Sequence, residues 1–483
     1  MAIIDIDGLE DAYDVVVAGS GFGSLFFLHK HLQKNPGARV LVLERGKMHT
    51  RAWQLENEIN SDIAPEETYE GVPGEKPWLF TIGVGGGTNC WWGLTPRLHP
   101  NDFRMRSLYG VGRDWAISYD ELIPYYQEAE AIMNVAGPED MSRVWPGADA
   151  YRMPAHRLST VDEIMKAAQP DQHFAFPSAR ISRPLGERGR CCSSARCNLC
   201  PVDAKFTAFN SMDAILSAPN VSILPEARVD TIETAGGLAR GVNFTAGGAE
   251  RTVRGELVVL GANAIHSPHI LLKSGIDDGP TGKYLHEKKA AQVEVYLDGL
   301  DCFDGGTVTT GLNTSLHDGS HRSEYGGALV FFENRWNFGF RAEPGRTRQI
   351  LPLVIFVEDM PQEVNHVAVG EGEKPLVRHP VRSDYVIRGI DAALGKLPDL
   401  LAPLPVEKIE RRDDMPTAGH VQGTLRMGTD PADSVVDGGL IHHRLRNLVV
   451  VGTSVFPTCG NANPSLTAAA LSLRAADLLG GQA

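Results

Sequence analysis

The segment that most restricts the fold lies near the start of the chain, where the β-branched run DVVVA at Asp14 to Ala18 breaks into GSGFGS and then LFFLHKHLQK. Such a run reads as a strand, the glycines as a tight turn and the stretch after them as a helix. A second strand is expected at Val40 to Leu43, ending in Glu44 and Arg45. Gly19 and Gly21 permit the turn and a close backbone approach to a pyrophosphate, and the helix N-terminus behind Phe22 and Gly23 stabilises its charge. Ser24 takes the third glycine position, where a small side chain still allows close helix packing. Glu44 follows Gly19 by 25 residues and stands where a carboxylate accepts both ribose hydroxyls and repels a 2′-phosphate. A glycine turn without nucleotide is the alternative, and the fingerprint alone does not separate FAD from NAD.

The rest of the chain has to be arranged around that unit. Its 483 residues exceed what one core usually holds, so two domains are expected. The run ELVVL at Glu256 to Leu260 and the run NLVVV at Asn447 to Val451 return to the same strand-then-turn style, while alternating segments dominate from about Ala290 to Val406. The expected class is therefore α/β: a Rossmann-like nucleotide domain from 1–100, 190–289 and 415–483, interrupted by a substrate domain on an antiparallel sheet from 101–189 and 290–414. With 46 basic against 60 acidic residues and no basic run, nucleic acid is excluded as a partner. The apolar run LPLVIFV is far too short to span a bilayer, which needs about 20 residues. The acidic N-terminus lacks the features of an export signal, so a cytoplasmic location is expected, the alternative being export in folded form with a partner.

Further stretches decide between the dinucleotides. GVGGGTNCWWGLTPR at Gly83 to Arg97, GANAIHSPHILLKSG at Gly261 to Gly275, HVQGTLRMG at His420 to Gly428 and GTSVFPTCGNANPSLTAAAL at Gly452 to Leu471 occur in this order across nearly the whole chain. Together they resemble the glucose-methanol-choline (GMC) family of FAD oxidoreductases. RDWAISYDELIPYYQEAE at Arg113 to Glu130 supports the branch of pyranose oxidase and the bacterial FAD-dependent glucose, gluconate and fructose dehydrogenases. The resemblance implies FAD contacts from Gly86, Gly87, Thr88, Asn89, Trp91, Trp92 and Gly93, from Val229, Ala262 and Ser267, and from Thr453, Asn463 and Pro464. For the glycine-rich loop a plain glycine turn is the alternative. Pyranose oxidase links a histidine of this loop to the flavin; Cys90 matches that position here, so non-covalent FAD is expected.

By the same resemblance the base for alcohol oxidation is the histidine of H-x-x-G-T, which selects His420 among 16 histidines, with Asn463 as its partner. His420 has the alternative of a hydrogen-bonded structural histidine. For Asn463 a helix N-cap with Pro464 at the first helical position is a competing or simultaneous role. His442 and His443 read as solvated surface residues, His266 and His269 as structural.

RCCSSARCNLCPVDAK places Cys191, Cys192, Cys197 and Cys200 within ten residues, a density that favours a metal site over disulfides in a long chain. The resemblance implies a 3Fe–4S cluster, although the spacing before the final Cys-Pro is two residues where the relatives have three; zinc or free thiols are the alternatives. Cys302 and Cys459 read as core residues. With a cluster, electrons would pass to a haem or other acceptor subunit, a small chaperone-like subunit being a second candidate partner. Without one, oxygen would reoxidise the flavin as in an oxidase of the pyranose oxidase type. A non-redox lyase of the same family is the third reading. The expected substrate is a sugar, glycoside or polyol, with Trp91, Trp92, Trp336 and Phe338 as candidate stacking surfaces.

Overall fold

The computed structural model of the chain describes residues 3–337 and 339–480. The strand Ala12–Ala18 is central to the first sheet: it pairs in parallel with Val40–Leu43 on one side and with the second half of Ala249–Leu260, from Arg254 on, on the other. Val221–Leu224 extends the parallel part beyond Val40–Leu43, and Leu448–Val450 extends it beyond Ala249–Leu260. Val16, Val17, Val40, Leu41, Val258 and Val259 are fully buried. The runs are continuously apolar because both faces of a parallel sheet are covered. The other end of the long strand Ala249–Leu260 leaves this layer as an antiparallel meander with Leu238–Ala246 and Ala227–Ala235.

The helix Phe22–Lys34 packs against Ser465–Leu479, and Gly23 sets how closely its first turn approaches the chain after the last strand. A Cβ at Gly23 would lie 2.5 Å from the Gly452 nitrogen and 2.9 Å from its Cα, against backbone that cannot rotate away. Gly23→Ala is therefore expected to abolish flavin retention, read as the absorbance ratio at 450 and about 280 nm of purified protein, while Ser24→Ala retains it.

The second sheet is antiparallel throughout, in the order Val406–Arg411, Lys289–Leu297, Ile350–Val357, Ala328–Glu333, Thr309–Asn313 and His173–Ala175. Alternation splits its side chains between two surroundings. Val293, Val330, Phe332, Leu353 and Ile355 are buried under the helix Asp384–Leu400. Leu329, Phe331, Val354 and Phe356 belong to the core shared with the first sheet. No helix among the described residues is long and apolar enough to cross a membrane.

A buried ionic cluster lies beside the Cys459 to Asn463 segment. Arg322, fully buried, is 2.5 Å from Asp102, 2.6 Å from Glu358 and 2.9 Å from Asp318, and Tyr385 Oη donates to its carbonyl oxygen. Glu358 also accepts the Gly327 N–H, and Asn461 donates to the neighbouring His317 carbonyl.

His442 is not the solvated surface residue its polar turn suggests. His442 is fully buried: its Nδ1 accepts the N–H groups of Arg444 and Leu445 at 3.2 Å, and its own N–H donates to the Leu448 carbonyl. The polar turn folds back onto the last strand instead of facing water, and burial lowers the ring pKa to about 4. His443 is half-buried, 2.8 Å from Ser434 Oγ.

Candidate active site

A cavity of about 1340 Å³ runs from the first glycine turn to the inner face of the second sheet. Gly19, Gly21, Phe22 and Gly23 border one end with Glu44 and Arg45. Gly86, Gly87, Trp91 and Trp92 line its middle, and Val229, Ala262, Thr453, Asn463 and Pro464 also face it. Gly86 has φ +48°, and a Cβ there would lie 2.8 Å from Gly21 Cα, so the two glycine turns meet only because neither carries a side chain.

Other residues expected at a cofactor form the support behind this wall. Ser24 lies under Gly261, where it fills the space a Cβ would need. Thr88 Oγ1 donates to the Gly85 carbonyl and accepts from Ala208 N, and Asn89 Nδ2 donates to the Val84 carbonyl. Gly93 takes φ +74° against Arg180, and Ser267 is fully buried in the helix Asn263–Lys273. Each is turned to protein and not to the cavity. Glu44 borders the cavity while its oxygens already accept from Ser20 N and Oγ, Gly46 N and Gly83 N at 2.6–3.1 Å, so it also ties the strand end to the second glycine loop.

At the far end Asn463 Nδ2 stands 3.1 Å from His420 Nε2, across 43 residues of sequence. His420 Nδ1 and Asn463 Oδ1 have no hydrogen-bond partner among the described residues. The Phe356 ring lies 5.8 Å from that of His420. Burial, with the Lys288 and Lys76 ammonium groups nearby, holds His420 well below the ordinary histidine pKa, so the ring is neutral. The helix Ser465–Leu479 begins with Pro464 at its N-cap and no side-chain cap; the Asn463 amide is turned to His420 instead of closing the helix. His266, by contrast, is fixed to the Thr68 carbonyl at 3.2 Å, and burial lowers it to about 3.

Several residues at this end carry no motif. Glu287 is buried and accepts from Thr417 Oγ1, Ala418 N and His420 N at 3.0–3.1 Å, and from Lys76 Nζ at 2.5 Å. Lys288 Nζ donates to the Ala462 carbonyl at 2.5 Å, next to Asn463. In HEKK these side chains look like an exposed charge run. Gln292 and Glu333 on the sheet, and Arg335 two residues past the strand Ala328–Glu333, line the cavity among apolar neighbours; Glu333 and Arg335 are nearly fully buried and stand 3.5 Å apart. A charged residue at an inward position of an otherwise apolar strand is the one signal that marks Glu333 in the sequence.

The cluster expectation does not fit the cysteines. Cys191 points to Thr307 Oγ1 at 3.3 Å, Cys197 takes Arg180 Nη1 at 3.5 Å, Cys200 accepts from Ala204 N at 3.2 Å and Cys192 is exposed. The single turn Cys197–Leu199 sends the thiols to different partners, and among the described residues no three Cys, His, Asp or Glu side chains are grouped as metal ligands. Cys302 and Cys459 are buried, as expected of core residues. Cys90 borders the cavity. Trp91 Nε1 donates to the Phe206 carbonyl at 2.8 Å, which fixes its ring. Trp336 is exposed and away from the cavity, and Phe338 lies outside the described residues.

A long cleft joining two opposed glycine turns to a polar pair with unpartnered atoms fits a dinucleotide-sized group with a reactive ring at the His420 end. The models of the GMC oxidoreductase family match residues 78–290 and 397–472, more than half of the chain. The fructose dehydrogenase large subunit of Gluconobacter japonicus is 29% identical, over 96% of this chain and 97% of that protein. The 2-methyl-1,2-propanediol dehydrogenase of Mycolicibacterium austroafricanum is 27% identical, over 97% and 95%. Among solved structures, an FAD-dependent oxidoreductase from Chaetomium thermophilum has a TM-score of 0.68 at 16% identity, covering 97% of this chain and 99% of that one.

Proposed function

Because the chain belongs to the GMC oxidoreductase family, we propose that it holds FAD in the cleft and oxidises an alcohol group of a sugar, glycoside or polyol. The observation that carries this reading is the His420–Asn463 contact at the cavity, with the far ring nitrogen and the amide oxygen unpartnered. FAD, when bound, supplies the acceptor for the hydride leaving the alcohol carbon. His420 Nε2, on which the Asn463 amide lies, takes the hydroxyl proton once the alcohol oxygen enters between the two side chains, the ring being neutral in its buried setting. The Asn463 amide holds the same oxygen in line, so that proton and hydride leave from a fixed geometry. The N-terminal turn of Ser465–Leu479 borders the cavity and favours negative charge there. The two glycine turns would hold the pyrophosphate, and Glu44, which orders them through Ser20, Gly46 and Gly83, would stand at the ribose.

Carbohydrate as substrate is supported by the inner face of the second sheet, where Gln292, Glu333 and Arg335 offer donors and acceptors beside Trp92. The named substrates of the two relatives, a sugar and a diol, point the same way. No electron step is routed through the cysteine segment; electrons taken from the alcohol would pass on to an external acceptor or to oxygen.

The test is an anaerobic screen of sugars, polyols and simple alcohols for bleaching of the flavin band. Bleaching by a polyhydroxy compound is expected; no bleaching by any alcohol would leave the non-redox lyase. Peroxide release in air distinguishes oxygen from another acceptor. Flavin attachment is read by acid precipitation, which is expected to release all flavin to the supernatant. Flavin left on the pellet would identify Cys90 as a covalent link.

A further inference from the structure

We propose that the buried Lys76–Glu287 pair is the positioning element of the active site, fixing the backbone of the His420 loop through one carboxylate. Backbone pairing holds the loop at its two ends, where Met415 N donates to the Ala290 carbonyl and Gln422 exchanges both backbone bonds with His286, but the stretch 416–421 that carries His420 lies between these bonds and belongs to no helix or strand. What replaces a ladder is Glu287. Its Oε2 accepts from Thr417 Oγ1 and His420 N, its Oε1 from Ala418 N and Lys76 Nζ. Three donors thus come from the loop and one from a segment more than 300 residues earlier. Thr417 Oγ1 in turn accepts from Gly419 N at 3.1 Å, so every residue from Thr417 to His420 is tied directly or at one remove to this carboxylate.

Both partners are nearly inaccessible, with side-chain exposures of 5% and 4%. Burying a charged pair is expensive and contributes little net stability, so its placement behind an irregular segment calls for a role in geometry. Lys76 is itself held with its ammonium 3.5 Å above the Trp78 ring. The remaining titratable groups around the pair are Lys288, Lys289, Asp359, His379 and Arg382, which border the same void of about 10 Å³ behind the loop; burial lowers His379 to about 4, so its ring is neutral. Of these, Lys288 and Lys76 are the cations that act on the His420 ring. The pair therefore sets position through the carboxylate and contributes to the local charge through the ammonium.

This inference rests on His420 acting as the base, and the variants separate the two claims. In the holoenzyme, Glu287→Gln is expected to lower the limiting rate of anaerobic flavin reduction about 100-fold, the size of effect that small misplacement of a reacting group produces. Calorimetric titration of the dithionite-reduced enzyme with the best polyol of the screen should give a dissociation constant within about twofold of the original, since the substrate face is untouched. Lys76→Met is expected to move the acid limb of the rate profile to higher pH, because one of the cations that depress the ring is gone. A purely structural role would lower stability without moving that limb. Thr417→Val, which removes one donor and no charge, should slow reduction with the limb unmoved, and Thr417→Ser should restore the rate. Reduction by Glu287→Gln within threefold of the original rate, or an unmoved limb in Lys76→Met, overturns the proposal. Where Glu287→Gln fails to load flavin, an original rate in Thr417→Val overturns it. If His420→Ala itself reduces normally, it is the base assignment that fails.

Discussion

His420→Ala is expected to lose about a thousandfold in the rate of flavin reduction by substrate, within the range that a positioned general base contributes. Flavin content should be unchanged, because the ring meets Asn463 and Phe356 and not the glycine turns that shape the nucleotide end. Single-turnover mixing without oxygen measures the step directly; an unchanged rate there would sink the assignment of the base. The original enzyme carries a further signature. A base works unprotonated, and this ring is held well below its ordinary value by burial and by the Lys288 and Lys76 charges. Activity should therefore persist as pH falls through 6.5 and be lost only in more acidic solution. Burial lowers both lysines to about 8. Above that pH their loss of charge removes the repulsion and strengthens the base, so no alkaline loss should arise from His420.

Arg322→Met is the substitution expected to cost the most stability. It would leave Asp102 and Glu358, both nearly fully buried, without the guanidinium that neutralises them. Breaking a buried pair this way costs about 3–5 kcal/mol. The cluster also reaches the segment carrying Asn463, since Asn461 donates to the carbonyl of His317, the residue before Asp318. Denaturant unfolding followed by tryptophan fluorescence should show a lower midpoint, and flavin should dissociate earlier than in the original protein. A loss of unfolding free energy below about 1 kcal/mol would mean that water enters and solvates the carboxylates.

The nucleotide end was legible because its information is local. Asp14 to Glu44 contains strand, turn, helix and strand in one continuous stretch, and every part of it formed where the pattern placed it. The chemistry was legible only through resemblance: nothing in HVQGT or in GNANP announces that the two segments meet, since their contact spans the nucleotide fold. The Glu287 carboxylate was illegible for the same reason, its partners lying 130 to 133 and 211 residues away. The cysteine run shows the converse failure. Spacing suggested a shared centre, but thiol direction is set by turns, and these turns diverge. His442 departs from the pattern because its polar turn, instead of facing water, closes over a strand end.

The alternation along the second sheet separates two kinds of inherited change. Gln292, Glu333, Val354 and Phe356 look into the cleft, while their immediate neighbours Val293, Phe332, Leu353 and Ile355 are sealed beneath the helix Asp384–Leu400. A library that varies only the first set would explore substrate range on an unaltered scaffold. One that varies the second would sample only robustness to heat.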